Sequence, residues 1–226
     1  MKTAFEIAFG LSIGLIFTAS TAWCETKKEI ENNELDINPE VIENSPVLQR
    51  WRLKIPNVLQ DIKNEPSFRT RIRLGYSQFD GNDGVKFGFE DIFIVDKLTL
   101  RGEYEKAFNN NYENYGADLN YYLFPLGGYF NFSPIVGYRD LYTSDYSSSG
   151  ANLGVKLHLV LSRGGAADIA FTRSWVSLGT PQEVALTKLS ASYAITNNLR
   201  LSTELGLQKA SGEKERQVGL FLEWMR

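Results

Sequence analysis

Three arginines recur at every second position in SFRTRIRLGYSQF, residues 67–79: Arg69, Arg71 and Arg73, separated by Thr70 and Ile72 and flanked by Phe68 and Leu74. In an extended strand this spacing puts the guanidinium groups on one face and the apolar side chains on the other. A row of fixed cations can hold carboxylates. It cannot shuttle protons, because arginine keeps its charge in proteins. Matching charges recur on later strand-like segments, with carboxylates at Glu90, Glu103 and Glu223 and a further cation at Arg101. Arg69, Arg71, Arg73, Glu90, Arg101, Glu103 and Glu223 therefore form a candidate charge network, structural rather than catalytic.

The spacing also predicts who meets whom. A four-residue hairpin loop from Asp80 to Asp83 sets Phe79 opposite Gly84 and Arg73 opposite Glu90. A two-residue turn at Asp96 and Lys97 sets Glu90 opposite Glu103, two carboxylates that need a cation beside them. If the last strand closes on the first, Glu223 comes near Arg69 or Arg71.

Other chemistries are poorly served. His158 is the single histidine and Cys24 the single cysteine, which excludes zinc sites of the His/Cys kind and leaves little for a triad. His158 is expected opposite Thr172, with Asp168 two pairs further along and too far for a hydrogen-bonded dyad. LFPLGGY and SRGGA lack the strand-to-helix context of a phosphate loop, so their glycines read as turn residues. Asp80 and Asp83 in FDGNDG read as an exposed hairpin turn rather than a calcium loop. No catalytic residue, cofactor or metal is assigned.

The elements that must carry these residues are strands. From Phe68 onward, turn chemistry divides the chain into ten: 68–79, 85–95, 98–108, 115–125, 129–142, 151–162, 167–177, 184–196, 199–209 and 216–225. Most exceed the mode of about six residues for globular strands. At roughly 3.3 Å per residue and a tilt near 40°, ten residues rise about 25 Å, the apolar height of an outer-membrane barrel. Links after odd-numbered strands (DGNDG, NNNYEN, TSDYSSSG, SLGTPQE, KASGEKE) read as longer than those after even-numbered ones (DK, LGG, RGGA, NN). That alternation predicts an all-β, up-and-down antiparallel barrel with both termini at one end.

The segments before it differ. Residues 1–24 have a Lys near the start, an apolar stretch and then small residues, the layout of a secretory signal peptide with cleavage after Ala22 or Cys24. Residues 25–45 are acidic and free of aromatics and read as a disordered tether. Residues 46–66 carry apolar positions at helical spacing and read as an amphipathic helical segment, packed on the barrel, plugging it or lying on a membrane. Residues 67–226 are the barrel. Residues 68–226 carry seventeen basic and seventeen acidic side chains, so no basic patch invites nucleic acid.

In a soluble barrel the apolar faces turn inward; in a membrane barrel they meet lipid and the charges sit inside. Strand length, loop alternation, even strand number and the export signal favour the membrane. Aromatics near strand ends (Phe79, Phe108, Tyr115, Tyr129, Trp175, Trp224) suit an interfacial girdle. The ending LEWMR departs from the terminal aromatic of many such barrels, with Trp224 two places early.

FRTRIRLGYSQFD, YGADLNYYLFPLGGY and the closing RLSTELGLQ…VGLFLEWM resemble uncharacterised exported β-barrel proteins found in cyanobacteria, over roughly residues 50–226. More loosely the domain is similar to small outer-membrane barrels of the OmpA/OmpX type. The first resemblance implies export in a Gram-negative envelope and no known activity. The second implies architecture only. The expected role is a structural or narrow-conduit, porin-like barrel, not an enzyme. Its expected partners are outer-membrane lipid and the barrel-assembly machinery. A soluble periplasmic barrel around an apolar ligand is the alternative, and a membrane-embedded barrel enzyme the third reading.

Overall fold

The computed structural model describes residues 41, 44–48, 58–210 and 212–226. The expected signal peptide, most of the tether and residues 49–57 of the helical segment lie outside them. Residues 46–48 form a helical turn whose Leu48 amide lies 3.4 Å from Ser45 Oγ. Helix α1 spans Val58–Asn64.

Ten strands follow: β1 Arg71–Phe79, β2 Asn82–Val95, β3 Leu98–Ala107, β4 Tyr112–Tyr121, β5 Phe130–Thr143, β6 Ser147–Ser162, β7 Ala167–Val176, β8 Val184–Ala194, β9 Leu199–Ala210 and β10 Glu213–Met225. Each pairs antiparallel with its chain neighbours, and β1 closes on β10 from Arg71↔Met225 to Phe79↔Gln217. This is the expected up-and-down barrel. Burial alternates residue by residue along β1 and β10, as one wet or lipid-facing side and one enclosed side require.

Link lengths do not alternate as expected. The first hairpin turns on Asp80 and Gly81 alone, both at positive φ, the geometry of a two-residue hairpin turn. Residues expected in the odd-numbered loops are drawn into β2, β4, β6 and β10, which start before their expected positions. The longest link, 122–129, falls after an even-numbered strand. Loop length therefore does not tell the two ends apart. One of them, the terminal end, holds the start of β1 and the close of β10; the other is the far end.

The first strand starts three residues later than expected, because residues 67–68 turn across the terminal end. Ser67 donates from its amide and its hydroxyl to the Leu126 carbonyl, at 3.0 and 2.8 Å. The Gly127 amide donates to Lys63 O at 2.9 Å, seating the end of α1 on the same link. A Cβ at Gly127 would lie 2.0 Å from Ile62 O, so this close approach needs glycine.

Candidate functional site: a charged interior between two apolar caps

The barrel interior has three layers. At the terminal end Phe68, Tyr122, Leu126 and Val160 pack together, with Phe93 against them. Phe68 is 2% exposed, and its ring centroid lies 4.7 Å from Tyr122 and 4.9 Å from His158. At the far end Phe79, Tyr112, Leu141, Val176, Val184 and Leu186 form a second apolar cluster, with Tyr146 packed on it. Phe79 thus points inward and stacks on Tyr112; it is not part of an outer girdle. Phe108, Tyr115, Tyr129 and Trp224 are exposed.

Between the caps lies charge. The buried cations among the described residues are Arg71, Arg73, Lys86, Arg101, Arg139, Lys156, Lys188 and Arg200. Eight buried carboxylates face them: Glu90, Asp91, Glu103, Glu105, Asp118, Asp168, Glu204 and Glu223. Equal numbers matter here, because a buried charge is tolerated only when it is paired and hydrogen-bonded. A ninth carboxylate, Glu215, sits at the far end and accepts the Tyr146 hydroxyl at 2.5 Å.

The carboxylates act as hubs. Glu90 accepts from Arg71 Nε and Arg73 Nη1, each at 3.1 Å, and Arg101 Nε lies 3.5 Å away. Glu103 takes Arg101 Nη2 at 2.8 Å, Lys188 Nζ at 2.6 Å and Arg139. Arg101 therefore bridges Glu90 and Glu103, which do not face each other. Glu223 lies 3.2 Å from Arg200, 3.6 Å from Arg73 and 3.9 Å from Arg71, fastening the β1–β10 seam. The Phe221 ring is buried among these charges, 4.4 Å from the Arg73 guanidinium. It fits because the inward positions beside it are Gly75 and Gly219, where a Cβ would come within 2.5 Å of the ring.

Three registers differ from the expected ones, the first at the closing seam, where Glu223 stands opposite Arg73 rather than opposite Arg69 or Arg71. Across the first hairpin Arg71, not Arg73, pairs with Glu90, because the turn has two residues rather than four. Across β2–β3 Glu103 pairs with Gly88, since two irregularities, Phe89/Ile92 and Phe93/Val95, displace the ladder. At the first of them Glu90 and Asp91 together oppose Arg101, Asp91 has φ 56°, and both carboxylates are buried. A bulge of this kind re-aims a side chain that strict alternation would send outward.

Of the seven network residues expected from the sequence, the structure brings Arg71, Arg73, Glu90, Arg101, Glu103 and Glu223 together. Arg69 lies apart: it is exposed and donates to the Asn197 carbonyl at 3.3 Å. It precedes β1, so strand parity no longer holds it inside. Ten interior charges among the described residues stand outside that expected network: Lys86, Asp91, Glu105, Asp118, Arg139, Lys156, Asp168, Lys188, Arg200 and Glu204. All but Asp91 follow inward parity on their strands, and the bulge brings Asp91 inward.

His158 needs a correction as well. It pairs with Ala170 rather than Thr172, because the β6–β7 turn passes through a 3₁₀ turn, Arg163–Gly165, with a bulge at Val160/Ser162. Its Nε2 then lies 3.4 Å from Asp168 Oδ2, so the two are in contact after all. The ring nitrogens are not directed along a hydrogen bond to the protein, and Asp168 is held instead by both terminal nitrogens of Arg200, at 2.9 and 2.8 Å. The Phe68 cap covers this corner.

The interior has little open space where these groups converge. The cavity between Arg101, Asp118, Arg139 and Lys188 has a volume of about 10 Å³, room for about one water. Beyond the strands, at the far end, burial and the bond to Glu215 push the Tyr146 phenol above its ordinary pKa. Among the described residues no group of His, Cys, Asp and Glu is arranged to hold a metal ion. No described helix is long and apolar enough to cross a membrane.

The opposite face of each strand is apolar over most of its length and half-exposed or exposed. Ile72, Leu74 and Tyr76 on β1, Leu153, Leu157 and Leu159 on β6, and Val218, Leu220, Leu222 and Trp224 on β10 all point out. The molecule is thus a closed ten-stranded barrel of inverted polarity, charged within and apolar without. Comparison with known protein families and with curated proteins finds no match to this chain.

Proposed function

We propose that this chain is a small outer-membrane β-barrel with a structural role, carrying its charge lattice as an internal scaffold rather than as a catalytic site. The observation that supports this best is the outward apolar belt. It runs around the barrel wall, far larger than the few hundred Å² a soluble monomer leaves exposed. On β6 it extends from Leu153 to Leu161, which at roughly 3.3 Å per residue and a tilt near 40° rises about 20–25 Å. The export signal read at residues 1–24 would deliver the chain to the compartment from which barrel-assembly machinery inserts such proteins.

The two apolar caps and the ion-paired interior favour a structural barrel over a conduit. An open pore needs a hydrated path, and the groups that would line it here are bonded to one another. A soluble carrier of an apolar ligand is disfavoured because its ligand would meet guanidinium and carboxylate groups.

The test is fractionation of cells expressing the full chain. Resistance to carbonate extraction, outer-membrane recovery and heat-modifiable gel migration are expected. Recovery in the soluble periplasmic fraction would overturn the proposal.

A further inference from the structure

Towards the far end the outward-facing charges are sorted by sign. On β2 and β4 they are acidic and already engaged: Asp83 accepts from the Tyr76 hydroxyl, and Glu113 accepts from Tyr104 at 3.1 Å and pairs with Lys106 at 3.5 Å. On β7, β9 and β10 they are basic: Arg173, Lys209, Lys214 and Arg216, all exposed. Among the described residues none of these four takes part in an ion pair, and Lys106–Glu113 is the pair found outside.

The ladders gather the four cations. Lys209 pairs with Lys214, and Leu207 with Arg216. Ala185 stands between Trp175 and Lys209, and Thr187 between Arg173 and Leu207. Neighbouring strands lie about 4.8 Å apart, so Arg173 and Lys209 flank a shallow floor about 10 Å wide made by the small Ala185 and Thr187. The Arg173 guanidinium is held 5.3 Å from the centre of the Trp175 ring. The acids nearest in sequence are turned elsewhere or left without an ion pair: Glu215 is buried and accepts the Tyr146 hydroxyl at 2.5 Å, Glu213 is exposed at the rim on Glu215's side of β10, and Glu183 accepts the Gly179 amide at 2.9 Å in its own loop. Two lysines directly opposite on one face repel, and a counter-anion removes that repulsion. On the same face, the next row towards the terminal end is wholly apolar: Phe171, Leu189, Leu205 and Val218.

A cationic floor directly above an apolar wall fits an anionic head joined to hydrocarbon. We propose that this arc binds the phosphate of a membrane-lipid headgroup, with the lipid's acyl chain lying along the wall below. The inference rests on the barrel being membrane-embedded. Arginine's planar fork suits phosphate oxygens, and the lysines supply point charge. A free phosphate ion would use the cations and leave the wall unused, so the lipid is the occupant to which the arrangement points.

The test uses the full chain folded in detergent micelles and titrated with dihexanoyl phosphatidic acid, following the amide resonances of Ala185 and Thr187. Dihexanoyl phosphatidylcholine and inorganic phosphate serve as comparison probes. Phosphatidic acid is expected to shift both amides and to saturate at least about tenfold below either comparison probe. The variant R173Q/K209Q/K214Q/R216Q is expected to raise that midpoint by about tenfold or more, and Glu113→Gln to leave it unchanged. Should the quadruple variant not fold, K209Q/K214Q reads the same site with a loss of about threefold. Equal midpoints for variant and parent, or inorganic phosphate binding as tightly as phosphatidic acid, would overturn the site. Failure of the membrane reading is seen separately, as extraction by carbonate before any titration.

Discussion

Arg71 stands directly across the β1–β2 ladder from Glu90, yet Arg73, two residues on, reaches the same carboxylate at the same 3.1 Å. Arg101 on β3 and Lys156 on β6 approach it at 3.5 and 3.9 Å. One glutamate therefore ties together strands that are not all neighbours in the sheet. The consequence is a barrel interior whose charges are shared, so that no pair can be deleted independently.

Arg71→Met is expected to be costly, because it strips a cation from Glu90 and also from Asp91, Asp168 and Glu223. Removing one partner from a buried ionic group costs roughly 3–5 kcal/mol. Glu90→Gln relieves part of the imbalance that Arg71→Met creates. The double variant should therefore lose at least about 1 kcal/mol less than the sum of the singles. Urea-induced unfolding of the three variants in detergent measures this. Strict additivity would mean that the two side chains do not interact.

The sequence was informative about faces and poor about registers, for one reason. Alternation fixes which side of a strand a residue takes, but a slip of two residues leaves every side chain on the same face. The first hairpin could close at Asp80–Gly81 or at Asp80–Asp83 without moving any arginine outward, and parity cannot choose. The same slip of two separates the expected His158–Thr172 pair from the observed His158–Ala170. Asp91 and Phe68 were beyond parity altogether. Asp91 enters the interior through a bulge, and Phe68 enters because the chain has left the sheet before Arg71. Neither event has a local sequence signal as clear as the turn residues between strands.

Leu157 and Lys156 test the polarity of the wall. Leu157 is 36% exposed and pairs with Phe132 and Phe171, whereas Lys156 is 2% exposed and lies 3.5 Å from Asp91. Leu157→Lys should cost roughly 2–4 kcal/mol if the position sits at mid-depth in a bilayer. The native lysine one residue earlier is tolerated because it points to a carboxylate. Reconstituted in vesicles, the Leu157→Cys variant should resist a water-soluble thiol reagent and react with a lipid-soluble one. Rapid reaction of that variant with the water-soluble reagent would reverse the assignment of the faces.

Tyr146 gives the barrel an alkaline signature. Its hydroxyl donates to Glu215 at 2.5 Å and accepts from Gln208, and the ring packs on the far-end cap. Burial, then the bond to a carboxylate, raise its pKa above the ordinary value of about 10. The folded state thus keeps a proton that the unfolded chain releases near pH 10. Stability from this group is complete below that pH and falls as pH rises from about 10 towards the folded pKa, because the unfolded state binds fewer protons. Tyr146→Phe removes the titrating group and should flatten that part of the pH profile relative to the parent, while losing the bond to Glu215 at neutral pH. The measurement is the urea midpoint of both proteins between pH 8 and pH 11, in steps of about half a unit across the tyrosine range. Parallel profiles would show that Tyr146 titrates as an ordinary exposed phenol and that its contact with Glu215 does not hold the far-end cap closed.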